Sequence, residues 1–422
     1  MIEASINGIK EDINRCLLCK KPRCKVNCPI DTPIPEIIEL YKGGNIEKAG
    51  EILFNNNPLS AVCGIICPHE NQCEGNCIRG IKQEPVKFHK LESVISSEYL
   101  KSAKLKQEIS LKDRIAIIGS GPAGITMAFM LAKEGYKVTI FEKNSEIGGV
   151  LRYGIPDFRL SNEILDNIEE RLLDLNVKIR YNALVGPVLT IDKLLEDGYK
   201  AIFIGTGVWN PKTLNIRGES LGHVNYAIDY LKSPKSFRLG EKVIVIGAGN
   251  VAMDAARTAK HYGAKDVTVV YRKDFEHMTA TKVEINDAKE EGVNFELFKA
   301  PMKIVDEGVI FIDTKMIEKD GQKTMVNVEG SEKLMEADSV IIAVSQSPKT
   351  NIVSNTNTIQ TNRHGLIVID EIGHTTKNGV FACGDVVTGA RTVVEAVAHA
   401  KRVAEAIDEY CKGEDTTMET AN

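Results

Sequence analysis

Residues 114–143 read RIAIIGSGPAGITMAFMLAKEGYKVTIFEK. An apolar run, Ile115–Ile118, enters the glycines Gly119, Gly121 and Gly124, and a stretch rich in Ala, Met and Leu follows. A second apolar run then ends at Glu142. The pattern predicts strand, tight turn, helix and parallel strand, the unit that binds a dinucleotide. Gly119 permits the turn, Gly121 lets the backbone approach a pyrophosphate, and Gly124 lets helix and strand pack closely. Ser120, Pro122 and Ala123 complete the loop, whose helix start turns free N–H groups and a positive dipole end toward an anion. Glu142, with Lys143 beside it, falls about 20 residues on, where an acid binds a ribose hydroxyl pair. The bland reading is a glycine-rich structural turn. The strand, helix and acid in register with the glycines argue for the binding loop.

A second unit of this type, KVIVIGAGNVAMDAARTAKHYGAKDVTVVYRK, spans 242–273. Gly247 and Gly249 precede Asn250 and Val251, and Ala252 takes the third glycine's place. No acid ends its second strand; Arg272 and Lys273 stand there instead. A carboxylate would repel a 2′-phosphate, whereas these cations pair with it, so the unit reads as a site for NADP(H) rather than NAD(H). The alternative is that both cations only face solvent.

The chain has 422 residues, 43% hydrophobic and 26% charged, which fits a globular protein of two or three domains. A net charge of −5 offers no basic field for nucleic acid. No apolar run suits a membrane span, and the acidic, amphipathic start does not look like a signal peptide, so a cytoplasmic location is expected. Cysteines crowd the N-terminal part: Cys16, Cys19, Cys24 and Cys28, then Cys63, Cys67, Cys73 and Cys77. Cytosolic thiols stay reduced, so metal binding is favoured over disulfides. The first four follow C-x2-C-x4-C-x3-C-P, similar to a ferredoxin run. Zinc is the rival, since paired cysteines serve both metals. The two Cys-Pro ends and the neighbouring dinucleotide units favour iron–sulfur. Cys383 and Cys411 read as structural.

EIGG at 146–149 and GVFACGD at 379–385 resemble the two FAD motifs of flavoproteins with two dinucleotide-binding domains. With GGVLRYGIPDFRL at 148–160, the order of motifs is similar to the glutamate synthase small subunit family. It is also similar to the N-terminal half of dihydropyrimidine dehydrogenase and to the large subunit of ferredoxin–NADP transhydrogenases. The likeness covers nearly the whole chain. It implies an α/β chain: an N-terminal helical iron–sulfur domain followed by two Rossmann-like dinucleotide-binding domains. The expected division is 1–106 for two 4Fe-4S clusters, 112–237 with 340–411 for FAD, 238–339 for NADP(H), and 412–422 as a frayed tail.

The resemblance assigns FAD to the first loop, Glu142, Lys143, Gly149, Arg152, Gly384 and Asp385, with backbone N–H groups of Thr392 and Val393 at a helix start. It places Cys16, Cys19, Cys24 and Cys77 on one cluster, and Cys28, Cys67, Cys73 and Glu92 on the other. Cys63 is a non-ligand in the family and the substitute should Glu92 not serve. Lys20, Lys21, Arg23 and Lys25 either balance cluster charge or form a solvated face. The family usually has a glycine where this chain has Ser345. The implied activity is NADPH oxidation through FAD and the clusters to a partner oxidoreductase subunit or iron–sulfur acceptor, with no side-chain acid or base required. Glutamate synthesis, pyrimidine reduction and transhydrogenation are not separated by the sequence. A thioredoxin-reductase-like activity would need a cysteine pair in the nicotinamide domain, and residues 241–339 contain no cysteine. A zinc-bearing scaffold without activity is the remaining alternative.

Overall fold

The computed structural model describes residues 9–106, 112–319, 322–356 and 358–413. The segment 414–422, expected to fray, lies outside the described residues. The chain forms two compact units. The first comprises residues 1–151, 157–208 and 348–422; the second comprises 152–156 and 209–347.

The first unit opens with helices α1 (Ile34–Lys42), α2 (Ile46–Asn56), α3 (Ser60–Ile66) and α4 (Phe88–Ser102). Their apolar faces, including Ile37, Ile38, Leu53, Leu91 and Ile95, form one core together with Cys73. Helix α3 lies so close to α4 that a Cβ on Gly64 would stand 2.6 Å from the Ser93 nitrogen. That approach requires glycine and sets the spacing between Cys63 and Cys67 on one side and Glu92 on the other.

Strands β1 (Arg114–Ile118), β2 (Lys137–Phe141), β3 (Lys178–Arg180) and β4 (Tyr199–Ile204) follow, with α5 (Pro122–Lys133) between β1 and β2. The late strand Val380–Ala382 pairs with β4, so the sheet has five parallel strands with β1 at its centre. Continuous burial of Ile115–Ile118 and Val138–Phe141 is what a parallel sheet covered on both faces demands. The long helix α9 (Val393–Lys412) packs on α5. Two lysines join these helices to the C-terminus of α2. Lys133 Nζ donates to Asn55 Oδ1 at 2.6 Å, and Lys401 Nζ to the Asn56 carbonyl at 2.9 Å. Phe54 packs edge-on to Phe129 at 5.2 Å.

The second unit holds another five-stranded parallel sheet, built on Lys242–Ile246, Asp266–Tyr271, Asn294–Leu297, Ser339–Ile342 and Val224–Tyr226. An antiparallel sheet of Lys299–Val305, Gly308–Lys319, Gln322–Asn327 and Lys333–Glu336 is inserted in it. Residues 209–237 and 340–347, which motif spacing assigns to the first domain, therefore lie in this unit, because Val224–Tyr226 and Ser339–Ile342 are strands of its sheet.

Ser345 has φ 118°, a conformation natural to glycine and strained for serine. Its carbonyl still accepts the Lys212 N–H at 3.0 Å, so the turn keeps its shape and serine carries the strain. Replacing Ser345 with glycine is expected to raise stability by ~1 kcal/mol. A urea midpoint that stays put or falls would show that serine is unstrained there.

Candidate cofactor sites

The first glycine loop connects β1 to α5. Gly121 is the N-cap of α5 and supplies no side-chain cap, and a Cβ built on it would meet nothing within 4 Å. Uncapped N–H groups thus face open space, as an anion site requires. Two distant segments pack on the same loop. The Gly148 N–H donates to the Ser120 carbonyl at 2.9 Å, and a Cβ on Gly149 would stand 2.7 Å from the Gly121 Cα. A Cβ on Gly384 would touch that of Ala123 at 3.2 Å. Gly119 and Gly124 are equally pressed: a Cβ on Gly124 would reach 2.0 Å from the Gly119 carbonyl oxygen. The structure therefore brings Gly119, Ser120, Gly121, Pro122, Ala123, Gly124, Gly149 and Gly384 together.

Glu142 is buried at the end of β2. Its Oε2 accepts the Ser120 N–H at 3.0 Å and the Ser120 hydroxyl at 2.6 Å. Its Oε1 accepts the Asn144 N–H at 2.8 Å and the Asn144 side-chain amide at 2.9 Å. Asn144 was not foreseen from sequence, although an Asn two residues after the acid is the available signal. A ribose hydroxyl at this carboxylate would replace a side-chain donor, the Ser120 hydroxyl or the Asn144 amide, since the two backbone N–H donors are fixed. Lys143 is half-buried beside it, and Arg152 lies in the helical turn Val150–Tyr153.

Asp385 opens the short turn Asp385–Thr388 and accepts the Arg391 N–H at 3.2 Å. Burial lifts its pKa to about 6. Thr392 is the N-cap of α9, and Val393 is the first residue of that helix. The Thr392 N–H does not point free: Glu395 Oε2 accepts it at 3.0 Å, completing a capping box. Glu395 thus neutralises part of the helix end that was expected to face the cofactor. The T-x-x-E spacing at 392–395 carries this information in the sequence.

In the second unit Gly249 caps its helix without a side chain, and only Thr279 Oγ1, at 3.3 Å, approaches an added Cβ. A Cβ on Gly247 would stand 2.3 Å from the Ala343 carbonyl oxygen. Asn250 Oδ1 accepts the Thr281 N–H at 3.0 Å, and Val251 follows in the first turn of the helix. Arg272 is exposed and Lys273 half-buried just past the strand Asp266–Tyr271. Among the described residues neither forms an ion pair, so both are available to a phosphate.

The cysteines fall into two neighbourhoods. The Cys16 and Cys24 thiols are pushed up chiefly by burial, Cys24 to about 11. Each also feels Cys19 and Cys77 electrostatically. Cys67 and Cys73 form the second neighbourhood with Glu92, and Cys73 also feels Cys28. The Cys67 thiol is raised first by a hydrogen bond with Cys63 and then by burial. Cys28 Sγ lies 3.2 Å from Thr32 Oγ1. Among the described residues no three His, Cys, Asp or Glu side chains close around a single ion.

Glu92 is buried on α4, and burial alone raises its pKa to about 8. No hydrogen bond or ion pair reaches its carboxylate among the described residues. An unpartnered buried carboxylate beside thiols fits a site that takes up cationic iron. Sequence reasoning also missed His69 and His89, which stack at 4.4 Å beside these thiols. Burial first, then His89, lowers His69 to about 4, and its Nε2 lies 3.0 Å from the Cys63 carbonyl oxygen. His89 pairs with Glu74. Lys20, Lys21 and Arg23 are exposed, as a solvated face would be. Cys383 is a buried thiol held protonated by burial.

Residues 112–400 match the family described as pyridine nucleotide-disulphide oxidoreductase. The chain belongs to that family. Residues 3–104 match the description "dihydropyrimidine dehydrogenase domain II, 4Fe-4S cluster". The chain is 32% identical to the glutamate synthase [NADPH] small chain of Escherichia coli, over 94% of its own length and 90% of that protein. It is 32% identical to the NAD-dependent dihydropyrimidine dehydrogenase subunit PreT of E. coli, over 97% of its own length and 95% of that protein. It is 33% identical to the putative oxidoreductase AegA of E. coli over 95% of its length, but spans 65% of that protein. The fold is shared with Mycobacterium tuberculosis FprA, solved in complex with NADPH, with a TM-score of 0.61 over 72% of this chain and 85% of that one, at 17% identity. The chain is thus a pyridine-nucleotide-dependent flavoprotein oxidoreductase with a 4Fe-4S domain, of the glutamate synthase small-chain and PreT type. Among the described residues no helix is long and apolar enough to cross a membrane.

Replacing Gly149 with alanine should push the segment 148–149 off the glycine loop. Flavin retained per chain after gel filtration is expected to fall several-fold while the far-UV circular dichroism stays that of the wild type. Full flavin retention would remove Gly149 from the cradle.

Proposed function

We propose that this protein is an NADPH-oxidising electron-entry subunit that carries one FAD and two 4Fe-4S clusters and reduces a partner oxidoreductase. The observation that carries this reading is the placement of two thiol neighbourhoods and the partnerless Glu92 in the same compact unit as the first glycine loop. FAD, when bound, accepts hydride as an electron pair and gives the electrons up singly. The protein's own part is grip and placement. The uncapped start of α5 holds the pyrophosphate of FAD, and Gly149 and Gly384 keep the loop closed around it. Glu142 fixes Ser120 and meets the ribose. Asp385, half-protonated near pH 6 through burial, suits a hydrogen bond to a neutral hydroxyl or phosphate oxygen.

In the second unit Gly247, Gly249, Asn250 and Val251 hold the nicotinamide dinucleotide, and Arg272 with Lys273 take the 2′-phosphate. Cys16, Cys19, Cys24 and Cys77 would ligate one cluster, and Cys28, Cys67, Cys73 and Glu92 the other. Cys63, buried and hydrogen-bonded to Cys67, would not be a ligand. The partner follows from what the chain is similar to: a glutamate synthase small chain, and a PreT subunit of dihydropyrimidine dehydrogenase.

Changing Arg272 to alanine is expected to raise the KM for NADPH about tenfold or more while leaving that for NADH within about twofold, a loss of ~1.4 kcal/mol confined to the phosphate. Equal effects on both nucleotides would reject the 2′-phosphate role. Glu92→Ala in anaerobically prepared protein should lower iron and acid-labile sulfide from about eight of each toward about four per chain while flavin stays near one. Unchanged iron would remove Glu92 from the ligand set.

A further inference from the structure

Lys401 lies on α9, the helix that begins beside the second flavin motif. Its ammonium reaches out of that helix to the end of α2. It donates to the Asn56 carbonyl at 2.9 Å and to Asn56 Oδ1 at 3.3 Å. A cation at a helix C-terminus meets unpaired carbonyls and the negative dipole end. Lys401 also walls a cleft of about 630 Å³ whose lining includes Ile30, Asp31, Asp385, Arg391 and His399. Ile30 and Asp31 lie two and three residues after Cys28, and Asp385 belongs to the flavin motif. The cleft therefore runs from the flavin motif to the cysteine loop within one compact unit, with Lys401 on its wall. Burial lowers the Lys401 pKa, and Glu405, then Asp31 and Cys28, pull it back up. Lys133, from the other flavin-motif helix, grips the neighbouring Asn55 without Cys28 or Asp31 among its electrostatic neighbours.

We propose that Lys401 is a positioning residue for electron transfer: anchored on the α2 C-terminus, its ammonium stabilises the reduced state of the cluster held at Cys28. This rests on the electron-entry reading above. One electron leaves reduced FAD, which NADPH supplies, and enters that cluster, which becomes one unit more negative without taking up a proton. A fixed positive charge beside Cys28 favours that change of charge and raises the reduction potential. It also ties α9 to the end of α2.

The test is redox potentiometry of the holoprotein followed by electron paramagnetic resonance, on wild type, K401M, K401R and K133M. K401M is expected to lower the midpoint of one cluster by about 59 mV, tenfold in its equilibrium with the flavin. The other cluster keeps its midpoint. K401R, which retains the charge, stays near wild type, and so does K133M, which removes a tie to the same helix end but no charge near Cys28. Bleaching of the flavin by NADPH proceeds in K401M at the wild-type rate. Should K401M lose iron, K401Q replaces it in the comparison with K401R. Cluster signals with an unshifted midpoint in the neutral variants would overturn this inference alone, as would an equal shift in K133M. A wild-type protein with no cluster signal would overturn the electron-entry function and this inference together.

Discussion

Two buried carboxylates in one compact unit stand in opposite conditions, and the rest of the site depends on the difference. Glu142 is fully answered by protein: four donors from Ser120 and Asn144 occupy it. It is a rigid post that fixes the glycine loop before any ligand arrives. Glu92 is answered by nothing among the described residues, and burial alone pushes its pKa to about 8. A protein that leaves a carboxylate in that state sacrifices stability unless something positive fills the space. Under the proposed reading, the first acid meets a neutral sugar and the second a metal cluster.

Both acids are set by close backbone approaches. Gly64 lets α3 settle on α4 and brings the Cys63–Cys67 turn to the face carrying Glu92. Gly124 lets α5 settle on the turn at Gly119, and Gly149 lets a later segment close over it. The helical region is then fastened to the first sheet at several points. Lys133 and Lys401 grip the C-terminus of α2, Phe54 packs on Phe129, and the buried Arg171 donates to the Leu100 carbonyl at the end of α4. Charged and aromatic ties of this kind join the helical region to the first sheet within one compact unit.

The strands and both glycine loops are legible because each is a local pattern: an apolar run, glycines at fixed offsets, a helix; the return of residues 379–385 to the first sheet follows from the family resemblance instead. What escaped was written in residues whose partner is far away or two turns on. Asn144 and Glu395 act through side chain to backbone bonds that short spacings foreshadow but do not compel. Residues 340–342 belong to the strand Ser339–Ile342, whose membership is decided by pairing with Lys242–Ile246, which no local pattern encodes. Ser345 was noticed as a departure from glycine, yet its cost is visible only in its backbone angle. His69 and His89, 20 residues apart, stack because helix α4 folds back over the Cys67–Cys73 turn.

Coenzyme preference shows where overall similarity stops helping. The chain is 32% identical both to a glutamate synthase named for NADPH and to a subunit named NAD-dependent. The two coenzymes differ by one phosphate, so a few side chains decide between them while the remaining hundreds are indifferent. At the strand end 271–273 this chain places a tyrosine, an exposed arginine and a half-buried lysine, and no acid. An arginine fork pairs with a phosphate dianion through two parallel bonds and gains little from a ribose hydroxyl. Under the proposed NADPH reading, the discrimination rests on charge just past the strand Asp266–Tyr271, and salt screens such an exposed charge more than it weakens short hydrogen bonds at the glycine loop.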